Sequence, residues 1–236
     1  MIRSRITSWY NVNFREAGSL NYGKGLGCIF AARSCYEYMV TQKARGQSYS
    51  PYCDIPSSLS CRSVNTYGVC GIRKYAHTLS PENQYFSNPH LFNDPQVSQY
   101  GGSENYMDYC PVLTVVDSLG SLPISSICTD TQNQQKLGFG LNLYMQSFGE
   151  RSVCVEHSGS MTYSLYFMNY NLGTTVAGSC HSYKCLPNNT LALNFAEQTI
   201  LCTSNGVPKQ IDVKVQYSRL LGSIKCPSPD TLCAAS

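Results

Sequence analysis

Thirteen cysteines, spread irregularly from Cys28 to Cys233 of a 236-residue chain, constrain this sequence more than any other feature. Cysteine at that density reads as a disulfide framework made in an oxidising compartment, since a reducing one would keep the thiols free. The count is odd, so at least one sulfur lacks a partner within the chain. At 236 residues the chain holds one large domain or a domain and a half, and the disulfides reinforce a core rather than replace one. Charged residues make up only 13% and tyrosines number 18, a balance that fits a secreted, loop-rich protein and not a disordered one. Net charge is +3, with Lys and Arg scattered rather than clustered, which gives no electrostatic case for nucleic acid as a partner.

No apolar stretch approaches the ~18 residues of a membrane-spanning helix, so no transmembrane segment is expected in this chain. Met1 to Ile6 carry basic residues without the apolar run of a signal peptide, and Thr231 to Ser236 lack the hydrophobic tail of a lipid-anchor signal. A secretory composition between termini that carry no address reads as one part of something longer.

Ser8 to Phe14 are aromatic and apolar, and Tyr22 to Gly27 form a glycine-rich turn. Cys35, Tyr38, Met39 and Gln42 follow at helical spacing and predict a short helix near 33–44. Residues 45–135 are rich in Pro, Ser, Asn and Gly and read as irregular, stapled loops with short elements. Further on, Leu191, Leu193 and Phe195 alternate with polar or small residues, as do Ile211, Val213, Val215 and Tyr217. Period two predicts half-buried strands, and Ser204 to Pro208 supply a turn, so a hairpin is expected over roughly 190–218. The segments 153–157 and 161–169 are expected to pair likewise around Ser158-Gly159-Ser160. The fold class is α+β, mostly β and irregular loops.

The residues themselves offer no active site. Catalytic zinc needs three protein ligands, often two His four apart on a helix around a Glu. His77, His90, His157 and His181 show no such spacing, and no C-x-x-C knuckle is present. Neither a catalytic residue nor a metal ligand is assigned, and no cofactor is expected within this chain. Cys180 beside His181 resembles a nucleophile with its base, but an oxidised Cys180 is no nucleophile. No G-x-S-x-G elbow occurs, and Gly23 to Gly27 lack the ending of a phosphate loop. Asn188-Asn189-Thr190 is an N-x-[ST] triplet before a strand, which makes Asn188 a candidate glycosylation site.

Trp9-Tyr10-Asn11-Val12-Asn13-Phe14-Arg15-Glu16-Ala17, then Tyr22-Gly23 with Gly27-Cys28 and Phe30, point to one family. Gly68-Val69-Cys70-Gly71, Gln84-Tyr85-Phe86 with Pro89, Tyr106-Met107-Asp108-Tyr109-Cys110-Pro111, and Cys226-Pro227 with Cys233 follow in order. The chain resembles the leishmanolysin family of zinc metalloendopeptidases over nearly its whole length. Tyr22 stands where the family usually has Trp, and 112–200 matches mostly through its cysteines. The resemblance implies a metzincin-like parent whose zinc-binding H-E-x-x-H, third His and Met-turn all precede the matching region. Residues 1–33 would then finish the central, catalytic-side subdomain, and 34–236 would form the disulfide-rich C-terminal domain. Zinc would belong to the full-length parent.

Spacing alone cannot pair twelve cysteines, which allow about ten thousand connectivities. The resemblance implies Cys35–Cys110, Cys53–Cys70, Cys61–Cys154, Cys128–Cys180, Cys185–Cys233 and Cys202–Cys226, and leaves Cys28 unpaired. The family counterpart of Cys28 pairs with the upstream catalytic region, which would be this chain's partner. The expected function is the C-terminal part of a cell-surface or secreted metalloendopeptidase, inactive alone, with peptide substrates met through the parent. The alternative is a non-catalytic, cysteine-rich adhesion or binding module of a truncated paralogue, with Tyr100 to Tyr109 as a contact loop.

Overall fold

The computed structural model describes residues 23, 25–56, 58–86, 94–115, 125–136, 142, 144–166, 170–174, 177–203 and 206–233. Within them the chain is mostly β, with few helices and long irregular connections.

Two short helices open the described chain, α1 (Gly27–Ala32) and α2 (Cys35–Ala44). The second covers most of the helix predicted near 33–44. It starts where the sequence supplies a capping box: Ser34 Oγ accepts the Glu37 N–H at 3.2 Å, and the Glu37 carboxylate accepts the Ser34 N–H at 3.1 Å. Cys35, Tyr38 and Met39 face inward, and the Phe30 ring meets Tyr38 edge-on at 5.2 Å, which docks α1 onto α2.

The middle of the chain forms two small sheets. β1 (Leu59–Ser63), β2 (Thr66–Cys70) and β5 (Leu113–Thr114) pair in the order β1-β2-β5, and β3 (Ile72–Lys74) pairs with β4 (Tyr100–Gly102). One close approach fixes this region. A Cβ on Gly102 would lie 2.0 Å from the Cys110 carbonyl oxygen, so only glycine fits. The approaching segment turns through Asp108 and Tyr109, both left-handed at φ 52° and 57°.

The C-terminal half is a single eight-stranded antiparallel sheet. Its strands are β6 (Ser152–His157), β7 (Met161–Leu165), β8 (Tyr170–Thr174), β9 (Gly178–Leu186), β10 (Thr190–Phe195), β11 (Gln198–Cys202), β12 (Pro208–Val215) and β13 (Ser218–Lys225). The order is β11-β10-β9-β6-β13-β7-β8, and β12 lies along the other edge of β13. Both predicted alternating strands exist, but they do not form one hairpin over 190–218. Thr190–Phe195 pairs with β9 and β11, while Pro208–Val215 pairs with β13. Two-residue loops, Ala196-Glu197 and Gln216-Tyr217, close these nearer pairings, and a short loop outcompetes a longer closure. The expected pairing of 153–157 with 161–169 is also overturned. β6 and β7 lie end to end along the same edge of β13, with His157 opposite Ile224 and Thr162 opposite Leu221. Ser158 donates its N–H to the Ser223 carbonyl at 2.7 Å, so the segment bulges past β13 instead of turning back.

Strand alternation divides the packing. Val153 and Val155 join a large core with Leu191, Leu193, Phe195, Val213, Leu220 and Ile224. Cys154, between them, points to the opposite face and packs with Cys61, Tyr67, Cys128, Phe148 and Cys180 against the β1–β2 sheet. No helix among the described residues is long and apolar enough to cross a membrane.

Candidate functional site

The cysteines sit where these layers meet. Cys35 on α2 is joined to Cys110, and Cys53 to Cys70 at the end of β2. Cys61 on β1 is joined to Cys154 on β6, which ties the central sheet to the large one, and Cys128, in the segment that bridges to Thr66 of β2 through Ile127, is joined to Cys180 on β9. Cys185 on β9 is joined to Cys233 on α3 (Pro229–Cys233), and Cys202 on β11 to Cys226 just past β13. Cys28 lies exposed on α1 as a free thiol.

A trough runs between the 46–50 segment and the sheet. Three adjoining hollows, two of them about 240 and 320 Å³, share the Glu156 and Lys225 side chains, which pair at 3.2 Å. One wall carries buried Asp54, which pairs with Lys43 and accepts the Tyr49 hydroxyl at 2.8 Å. Burial, reinforced by the Asp54 carboxylate, pushes the Tyr49 hydroxyl far above its ordinary range, so it serves there as a donor and not as a base. Glu156, Lys225 and Asp54 are thus already paired within the chain, and Arg45 and Arg62 line the outer parts of the hollows.

The second constellation is buried. Ser179 Oγ lies 2.7 Å from Nε2 of His157 and 2.7 Å from Nε2 of His181. Ser179 and His181 are fully enclosed, and His157 is 6% exposed. The Tyr144 ring lies 5.7 Å from His157, and Phe195 stacks on His181 at 3.6 Å. A serine between two imidazoles resembles a nucleophile with its base, but no substrate atom can reach an oxygen enclosed in the core. Sequence context offers His181 only as a base beside Cys180 and gives His157 no role. Ser179 and His181 alternate on one strand, but His157 arrives from another strand 22 residues away, a juxtaposition that no spacing signals.

The pleat also disposes of the Cys180–His181 pair. Cys180 packs in the smaller core, disulfide-bonded to Cys128, while His181 faces the larger one against Phe195. His77 lies beside Tyr75, with ring centroids 6.3 Å apart, and His90 lies outside the described residues. Asn188 is exposed in the three-residue loop between β9 and β10, in the left-handed conformation at φ 60°.

Among the described residues no three His, Cys, Asp or Glu side chains converge as a metal site requires. The leishmanolysin family model (Peptidase M8) matches residues 7–236. The chain belongs to the leishmanolysin family. It is 28% identical over 236 residues to a leishmanolysin-like peptidase of Drosophila melanogaster, covering 97% of this chain and 34% of that protein. A leishmanolysin-like peptidase of Caenorhabditis elegans is 25% identical, across 96% of this chain and 35% of its own length. Leishmanolysin of Leishmania tropica is 32% identical over 105 residues, 44% of this chain and 14% of its own. No solved structure matches the chain significantly. This leishmanolysin-family chain thus spans about a third of the length of the curated peptidases it matches.

Among the described residues the donor set does not fit zinc. The two histidines that approach each other are spent on one serine, twelve cysteines are oxidised, and Glu156 and Asp54 are bound to lysines. No catalytic step is therefore assigned to these side chains.

Proposed function

We propose that this chain is the non-catalytic C-terminal part of a leishmanolysin-like zinc metalloendopeptidase of the secretory route or cell surface. The observation that carries the proposal is the family match over 7–236 within a chain that covers only about 34% of its relatives. In that parent a zinc ion would polarise the scissile carbonyl and activate water, chemistry for which the described residues provide no ligands. This part supplies rigidity: six disulfides join α2, the central sheet and the large sheet, and the exposed Cys28 is available for a bridge to the upstream region. Peptide substrates would be met through the parent. Asn188, in its exposed turn, would carry a glycan on that route, and loss of a glycosidase-sensitive mass shift in Asn188→Gln is its check.

The test is the coding sequence upstream of Met1. An in-frame H-E-x-x-H supports the proposal, and a longer chain that includes it should cleave peptides in a chelator-sensitive way. A stop codon directly upstream, together with a mature secreted product starting near Met1, would contradict it.

One observation favours a second reading, a binding module. Tyr106 is 79% exposed on a turn held by the Cys35–Cys110 bridge, a rigid aromatic presented to solvent. Its neighbours Tyr100 and Tyr109 instead pack into a cluster with Tyr85 and Phe86, which reduces the predicted contact loop to a single exposed ring.

A further inference from the structure

We propose that the trough beside Glu156 and Lys225 binds an extended peptide in which an apolar residue stands between acidic ones. The inference does not depend on the peptidase reading, since it concerns recognition by this chain and no bond is cleaved. Glu156 and Lys225 lie where the three hollows meet. One hollow runs outward to Arg45, the residue that ends α2, and the hollow of about 320 Å³ runs to Arg62 on β1. The third, of about 240 Å³, runs aside to Asp54, which Lys43 and Tyr49 already hold.

Charge selects the ends of the ligand. Arg45 and Arg62 are exposed, and neither enters an ion pair among the described residues. The trough therefore carries an uncompensated guanidinium towards each end, and a guanidinium donates to a carboxylate through two parallel N–H groups. The centre differs. Lys225 donates to Glu156 Oε2 at 3.2 Å, while Oε1 accepts no hydrogen bond from the described residues. A carboxylate there repels an acidic side chain but accepts a peptide N–H. The matching sequence is acidic, neutral, acidic.

Apolar surface selects the middle. Val64, Val153, Pro227 and Leu232 line the hollow beside Arg62, and Val64 stays 43% exposed there. An inserted leucine-sized side chain would cover that surface. A sulfated oligosaccharide would match the arginines, but it would leave the apolar hollow uncovered and meet Glu156 between them. The walls are fixed covalently. Cys61–Cys154 joins the Arg62 strand to the Glu156 strand, Cys202–Cys226 anchors the segment after β13, and Cys185–Cys233 holds α3 with Leu232. A preformed trough loses little freedom when a ligand enters it.

Fluorescence anisotropy on the intact oxidised chain tests this. The probe is a short labelled peptide, capped at both ends, with one leucine between two pairs of glutamates. It should bind saturably and more weakly as salt rises. Lysine in place of the glutamates should abolish binding, and glycine in place of the leucine should weaken it about fivefold. Arg45→Ala and Arg62→Ala should each weaken it about two- to fivefold, as loss of an exposed ion pair does. Val64→Asp, a like charge at the apolar hollow, should weaken it more than either. Lys184→Ala, an exposed cation outside the trough, should leave it unchanged. If Val64→Asp fails to fold, the two exposed arginine positions decide. Absence of saturable binding, equal binding of the lysine or glycine peptide, or unchanged affinity in both arginine variants would each overturn the proposal. A sulfated oligosaccharide that binds through Arg45 and Arg62 where the peptide does not would also overturn it.

Discussion

The central region and the C-terminal sheet are held together by different forces. Among the described residues between Cys35 and Thr114 no strand exceeds five residues. Order there comes from two disulfides and from tyrosine hydroxyls donating to backbone carbonyls, Tyr75 to Gly102 at 2.7 Å and Tyr85 to Asp108 at 2.6 Å. From Ser152 to Lys225, strands of up to nine residues build a continuous ladder over a core of Leu, Ile, Val and Phe. An irregular backbone has few ladder bonds to satisfy its polar groups, so side chains and covalent links take over. A long ladder does that work locally and leaves the side chains to bury apolar surface.

Reducing conditions should break this comparison most visibly. Cys35 and Cys110 close a 75-residue separation, against 24 for Cys202 and Cys226. Replacing the first pair by serine should cost about 2–5 kcal/mol in denaturant unfolding, and more than replacing the second, because longer closures constrain the unfolded chain more. Equal costs would mean that both regions depend on their staples alike. The sheet's own weak point is its core: Leu193→Ala, at a fully buried position, should cost about 2–5 kcal/mol, read by the same unfolding experiment. Tyr85→Phe tests the other mode of support. It strips one hydroxyl from a buried ring and should cost about 1–2 kcal/mol, because the Asp108 carbonyl loses its donor in a strained turn.

The smallest expected effect is electrostatic. Hydrogen bonds from Lys74 first, and then from the Gln96 backbone and Tyr100, hold the Asp94 carboxyl down at about 2. Its folded value lies below its unfolded one, so its contribution is present above about pH 4 and lost as pH falls from about 4 to 2. The group is exposed and screened, so the melting temperature of Asp94→Asn should differ little from wild type at neutral pH. Part of the acid sensitivity of the β3–β4 region should disappear with the substitution.

The same contrast governs what the sequence disclosed. Helix Cys35–Ala44 was legible because Tyr38 and Met39 recur at helical spacing. Strands Thr190–Phe195 and Pro208–Val215 were legible because Leu191, Leu193, Ile211 and Val213 alternate with their neighbours. Their partners were not, because Gln198–Cys202 is a short strand introduced by Ala196-Glu197, a turn without Gly, Asn or Pro. β1 and β2 escaped the reading because Leu-Ser-Cys-Arg-Ser carries little periodic signal and is ordered by Cys61 and the neighbouring sheet. The family came from short ordered motifs such as Tyr106 to Pro111, and the cysteine pairing came with it, since spacing had left about ten thousand choices. The trough and the buried histidines depend on strand order, which no local pattern encodes.

The central proposal is that this leishmanolysin-family chain carries structure and not the zinc chemistry. The most direct measurement is metal content and peptide hydrolysis of the purified, oxidised chain incubated with zinc. The account predicts substoichiometric zinc and no chelator-sensitive cleavage. One tightly held zinc per chain, with cleavage abolished by chelation and restored by zinc, would contradict it.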